Sequence, residues 1–349
     1  MQRSEAFRAA AEQFPAVRGY LNAASTGLPP RAMLEAVRAD LETWSRGEVE
    51  PGGYDGVVSR TRASYARLVG TDPSRVAIGA LVSQLVGLFA AAAPAGAEIV
   101  VPHGDFSSIP TPFEQRGDLR VRTVPLGDLA EAIGPETWLV AFSLVQSADG
   151  AIADADAIRA AARRHGTLTL VDLTQAAGVL PVNADEFDAT VCHAYKWLCS
   201  PRGVSFLTIA PELHPRIPAL QSGWYAGRDI WASAYGPGIE LATDARRYDA
   251  SPAWQAWVGA EASIGMIAGL DPQETWDHAA ELGAALTTAL GLPEQRRAIV
   301  AWRDESGEGL AKLRAAGIRA AGRAGNLRLS FHLWNDERDV ELALAALRG

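Results

Sequence analysis

Residues 168–204 read LTLVDLTQAAGVLPVNADEFDATVCHAYKWLCSPRGV, and two short runs inside them decide the fold. Leu168–Asp172 and Thr190–His193 are strand-length, apolar and β-branched, which is the pattern of strands buried on both faces. Each opens into a polar loop, Asp172-Leu173-Thr174-Gln175 after the first and His193-Ala194-Tyr195-Lys196-Trp197 after the second. Working outward, similar runs fall at Val76–Ile78, Glu98–Val101, Val121–Pro125, Trp138–Leu144 and Val204–Ile209. Helical stretches at Ser83–Ala93 and Asp154–His165, the latter stopped by Gly166, and a segment at Asp105–Gln115 lie between them. Such alternation predicts crossover connections and a mostly parallel, covered α/β sheet. Ligands of such sheets sit beyond the carboxyl ends of the strands, so the loops after residues 172 and 193 are where chemistry is expected.

Past residue 253 the texture changes. Trp254–Ala268, Pro272–Leu290 and Asp336–Leu347 read as helices, and Ala298–Trp302, Ile318–Ala321 and Leu327–Phe331 as short strands. The expected division is an N-terminal helix over 1–20, a large domain over 21–252 with interface loops, and a small α+β domain over 253–349. Ser222–Pro252, rich in Gly, Trp and Tyr and without periodicity, reads as loops lining a site. Met1 to Phe14 reads as an amphipathic surface helix, not a signal peptide.

The bulk composition excludes several classes. A net charge of −9 over 349 residues recommends neither nucleic acid nor an anionic membrane as partner. The longest apolar stretch, Leu85 to Ala97, is too short to span a bilayer. Two cysteines, Cys192 and Cys199, make no disulfide framework and fit a reducing, cytoplasmic setting. No metal site is expected.

The two loops carry the chemistry. A lone strand-end Asp is most often a cap, and a lone Lys is usually solvated. A Lys at the mouth of an apolar sheet can instead lose its proton near neutrality and act as an imine-forming nucleophile. An Asp beside it can keep a pyridinium nitrogen protonated, which is what pyridoxal 5′-phosphate needs to act as an electron sink.

VDLTQAAGVLPV (171–182) followed by HAYKWLCSPRGVSFL (193–207) resembles the class V aminotransferase family, which includes cysteine desulfurases, kynureninases, isopenicillin N epimerase-like proteins and ergothioneine-pathway C–S lyases. The resemblance covers nearly the whole chain. It implies the fold-type I architecture of pyridoxal-phosphate enzymes: a large mostly parallel-sheet domain, a small C-terminal domain and a homodimer with a shared active site. It implies Lys196 as the Schiff-base lysine, Asp172 as the partner of the pyridine nitrogen and Gln175 as a donor to the phenolic oxygen. Val82 and Ser83 fall where the family cradles the phosphate at a helix start, with Ser83 open to a simpler reading as an N-cap. His193 and Tyr195 fall at the remaining phosphate-side positions, although a buried histidine can equally be a core residue. Phe106 in HGDFSS matches the ring-stacking aromatic, and Arg328 in NLRLSFHLWND matches the arginine that grips the substrate α-carboxylate through two parallel hydrogen bonds. SGWYAG and YDASPAW resemble loops that reach a partner's site, making Trp224, Tyr225 and Ser251 candidates there, against plain packing roles.

Two departures bear on the reaction. Leu81 stands where a glycine is frequent in the phosphate turn. No cysteine follows Cys199, so the persulfide relay of the desulfurases is disfavoured, and both cysteines flanking Lys196 read as packing residues. The resemblance therefore leans to a lyase eliminating from Cβ of a cysteine-derived amino acid. Class V transamination or epimerisation is the alternative, and a non-catalytic scaffold of the same fold is the rival of another kind.

Overall fold

The computed structural model describes residues 3–349, so the part of the N-terminal helix expected at Met1 and Gln2 lies outside the described residues. Seven strands form one sheet: β1 (Val76–Gly79), β2 (Glu98–Pro102), β3 (Arg120–Val124), β4 (Thr137–Ser143), β5 (Leu168–Asp172), β6 (Ala189–His193) and β7 (Ser205–Ile209). Their order is β1-β7-β6-β5-β4-β2-β3. Only β7 runs against its neighbours; the pairs from β6 through to β3 are parallel. Every residue of β1, β5 and β7 is buried, as the uninterrupted apolar runs require when helices cover both faces. One apolar core forms under helix Val82–Ala92, with Phe113 and Tyr248; the larger one lies on the other face, under Tyr65, Phe206 and Trp257.

Local chemistry sets the helix ends. Asp154 accepts from the amide of Ala157 and Gly166 takes φ 68° at the other end, so Ala155–His165 starts and stops where the sequence indicates. Helices Arg31–Ser45 and Gly53–Leu68 precede the alternating region and were not foreseen in the sequence. The second carries Gly53, Gly56 and Thr61 and buries Arg62, so its apolar period is weak. Of the Asp105–Gln115 segment only Pro110–Glu114 is helical.

The small sheet is antiparallel, in the order β8-β10-β9, from β8 (Ile299–Arg303), β9 (Ala321–Arg323) and β10 (Asn326–Ser330). Packing bears on two of the expected domain limits. Helix Trp254–Ile267 lies on the large-domain side, with Trp254 stacked on Tyr54 at 5.0 Å and Trp257 edge-on to Phe206 at 5.5 Å. The N-terminal segment packs instead on the small domain: Ser4 bonds Glu274, Gly19 donates to Asp339, and Asn22 bridges Ser330. We propose that the small domain begins after Ile267 and includes the chain up to about residue 22.

One buried ion pair secures the open edge of the large sheet. Arg62 Nη2 meets Asp249 Oδ2 at 2.6 Å, while Asp249 Oδ1 accepts from Ile78 of β1 at 2.9 Å. Ala250 then donates to the Ile78 carbonyl, so residues 249–250 cover the edge strand. Asp249→Asn removes the countercharge of a buried guanidinium and is expected to cost about 3–5 kcal/mol in urea unfolding. A loss below about 1 kcal/mol, the range of exposed pairs, would show that the pair is not structural.

Candidate active site

Parallel β4, β5 and β6 bring their carboxyl ends to one edge. Ser143 and Asp172, the last residues of β4 and β5, are register partners there. A cavity opens above them, bounded by Phe106, Ser143, Asp172, Gln175, His193 and Lys196. Lys196 lies three residues beyond β6. Burial pulls its pKa down to about 8, with Arg328 adding to the effect and Asp172 opposing it. The chain has one other lysine, Lys312, which is paired with Glu308 on a surface helix. Asp172 is pushed up to about 6 by burial, while the hydroxyl and amide of Thr174 favour the carboxylate. Between about pH 6 and 8 the cavity is therefore lined by both an anion and a cation.

His193 is a neutral imidazole, with its pKa lowered to about 4 by burial and by Lys196 and Arg202. Its Nε2 accepts from the backbone amide of Val82 at 3.2 Å, which assigns the proton to Nδ1. That Nδ1 is buried without a partner. Helix Val82–Ala92 starts there, and its N-cap Leu81 supplies no side-chain acceptor for the first-turn amides. Ser83 is half-buried in that turn. Tyr195 lies edge-on to His193 at 5.2 Å and under Arg202 at 4.3 Å. Phe106 is 43% exposed, with its ring 5.2 Å from Lys196 Nζ.

Arg328 is 1% exposed. Its Nη1 donates to the carbonyl and hydroxyl of Ser147 and its Nη2 to Ser25 Oγ at 2.7 Å, and Nε has no partner. Among the described residues it has no salt-bridge partner, and burial together with the field of Arg323 lowers its pKa to about 10. Gln175 stands behind this group. Its amide nitrogen donates to Ala24 and Ser147 and its oxygen accepts from Trp197 at 2.7 Å, so both amide protons are engaged and a bond to a ligand requires one of them to be released.

Trp224, Tyr225 and Ser251 do not line this cavity. Tyr225, expected on a loop reaching a partner's site, is buried within this chain and donates to Asp55 at 3.0 Å. Trp224 packs on Tyr225 and Trp231, and Ser251 is exposed. Both cysteines are buried, and burial pushes their thiols well above the usual range.

The sequence reading missed the supporting residues. Asp105 accepts from the Ser143 amide, the Ser143 hydroxyl and the Phe106 amide, and so fixes the loop that presents the ring. Its signal was its place directly before Phe106. The loop Asn22–Gly27 crosses the site: Gly27 donates to Tyr195, and a Cβ at Gly27 would stand 2.1 Å from the Lys196 carbonyl oxygen. Small residues in NAASTG were its only mark.

The site thus brings together a buried amine of lowered pKa and a buried guanidinium that, among the described residues, has no salt-bridge partner. The aminotransferase class-V family model matches residues 95–322, and the chain belongs to that family. It is 30% identical over 389 aligned positions to isopenicillin N epimerase of Streptomyces clavuligerus, covering 94% of each chain. In structure it is similar to the cysteine desulfurase CsdA of Escherichia coli, with a TM-score of 0.85 at 20% identity over 99% of this chain and 98% of that one. A variant of C-DES carrying glycine covalently linked to its PLP cofactor matches with a TM-score of 0.85 at 22% identity, over 96% and 98% of the two chains. These likenesses show the fold-type I architecture.

The cofactor of the family is pyridoxal 5′-phosphate, and the residues present fit it. A buried amine, a carboxylate opposite, an exposed aromatic ring and an orphaned imidazole N–H beside uncapped helix amides match its aldehyde, ring nitrogen, ring face and phosphate. With only two lysines in the chain, reductive methylation with ¹³C gives an NMR readout of Lys196. In protein freed of cofactor its resonance should titrate with a midpoint near pH 8, charged below and neutral above. The unfolded chain keeps that proton to about pH 10, so stability should rise with pH between about 8 and 10. A midpoint above pH 10 would show that the amine is solvated.

Proposed function

We propose that this protein is a pyridoxal-phosphate-dependent lyase that eliminates a sulfur leaving group from Cβ of a cysteine-derived α-amino acid. The observation that carries the amino-acid reading is Arg328, a buried guanidinium with no salt-bridge partner among the described residues, bonded to Ser147 of the cavity wall and close enough to Lys196 to lower its pKa. When bound, the cofactor would supply an electron sink for charge developing at Cα. Lys196 would hold it and, once released, carry the proton from Cα. Asp172 would hold the ring-nitrogen proton, Phe106 would cover the ring face, and Val82, Ser83 and His193 would take the phosphate. Arg328 would fix the substrate carboxylate bidentately and so orient Cα toward Lys196. Three features support elimination over a persulfide relay: both thiols are buried, both are held protonated, and no further cysteine exists. A non-catalytic scaffold would need none of Lys196, Asp172 and Arg328 together.

A homodimer belongs to this reading, supported by the exposed aromatics Trp231 and Tyr235 on the 222–252 loops.

Epimerisation is the second reading, favoured by the isopenicillin N epimerase relative. The two differ in products. An S-substituted cysteine, supplied without any keto acid, is expected to give ammonia and pyruvate over many turnovers. Inversion at Cα with solvent deuterium incorporated and no ammonia released would identify an epimerase instead, and turnover only with added keto acid would identify an aminotransferase. Lys196→Ala should abolish every one of these reactions and leave no borohydride-reducible adduct. Arg328→Lys should raise the substrate concentration required by about tenfold or more, because an ammonium cannot form the paired bonds. Equal reaction of amines lacking a carboxylate would remove Arg328 from the substrate site.

A further inference from the structure

We propose that Arg323 gives this site a second anion-binding arm, so that the preferred substrate is an α-amino acid with a carboxylate at the far end of its side chain. The inference rests on the reading that Arg328 takes the α-carboxylate. Arg323 closes β9, and the chain turns back into β10 through Ala324 and Gly325, both at positive φ. From this turn Arg323 Nη2 reaches Ser25 Oγ at 3.3 Å. Arg328 Nη2 reaches the same oxygen at 2.7 Å. A single hydroxyl thus gathers two guanidinium groups, and a neutral acceptor compensates neither charge.

Several exposed arginines elsewhere on the molecule close onto carboxylates, such as Arg46 on Glu48, Arg296 on Asp277 and Arg303 on Glu305. Among the described residues neither Arg323 nor Arg328 does so. The field of Arg323 is felt within the site, where it lowers the pKa of both Arg328 and Lys196. The two arginines differ in depth, since Arg328 is buried and Arg323 exposed. An anion deep in the cavity meets Arg328 first, and Arg323 is left to face a second anion at the mouth. Because the two groups stand on either side of one oxygen, the distal carboxylate must return close to the α-carboxylate. That geometry suits a short flexible side chain, such as an S-carboxymethyl group, better than a rigid or long one.

The test uses two acids that lack an amino group and so cannot react: 3-(carboxymethylthio)propanoate and its neutral counterpart 3-(carbamoylmethylthio)propanoate. Binding to the holoenzyme is measured by calorimetry. The dicarboxylate is expected to bind about tenfold more tightly than the amide, the size of one charge-assisted contact at a partly wet site. In Arg323→Gln, an exposed change that leaves the core intact, this ratio should fall to within about twofold of unity, with Arg323→Lys between. Arg328→Lys should weaken both compounds together. If Arg328→Lys weakens neither, the α-carboxylate reading fails and this inference with it. If it weakens both while the wild type does not discriminate, or while Arg323→Gln keeps the full ratio, only the second arm is overturned.

Discussion

The constraint on which the rest of the structure depends is the burial of Arg328 without an anion. A guanidinium taken out of water needs its donors satisfied, and here neutral oxygens do that work from two separate stretches of chain: Ser25 of the N-terminal loop and Ser147 after β4. Gln175 then binds Ser147 to Ala24, and Trp197 holds Gln175, so the loops after β4, β5 and β6 are fixed relative to the small-domain strand that carries the arginine. The two sheets share one apolar core, and this polar network crosses it at the site.

On the opposite wall the organisation depends on the reversed strand β7. Because it runs against both β1 and β6, those two strands point the same way, and the end of β6 stands near the start of the helix after β1. This is why His193 meets the Val82 amide across 111 residues of sequence. Asp105 acts in the same manner on the third side, holding Ser143 and Phe106 through one carboxylate. His193 and Phe106, which face the cavity, are thus positioned by Val82 and Asp105, which do not line it.

The strand ends were legible in the sequence because covered parallel strands are short, continuous and apolar, and the residues that follow them stand out. Lys196 and Asp172 could be placed at the mouth of the sheet on that ground, and Arg328 on the face of its strand opposite to that of Leu327, Leu329 and Phe331. What stayed hidden was direction. An aromatic residue in a glycine-rich loop looks alike whether it faces outward or, as Tyr225 does, into Asp55 of its own chain. The helix 254–267 shows apolar residues nearly all round, so its sequence does not say which domain it joins. Asp105, Ser25 and Ser147 are ordinary loop residues whose partners lie far away in sequence, and no local pattern marks them.

The Asn22–Gly27 loop has a consequence for how the protein comes into being. Its partners Tyr195, Gln175, Arg328 and Ser330 are made far later than the loop itself, with Ser330 306 residues downstream of Ala24. Contacts of such separation close slowly, since the intervening chain must be ordered before they return any free energy. During synthesis the large sheet can form while its active edge still lacks one wall. Until β10 docks and the 22–27 loop finds its place, that edge of the large sheet stays open on one side.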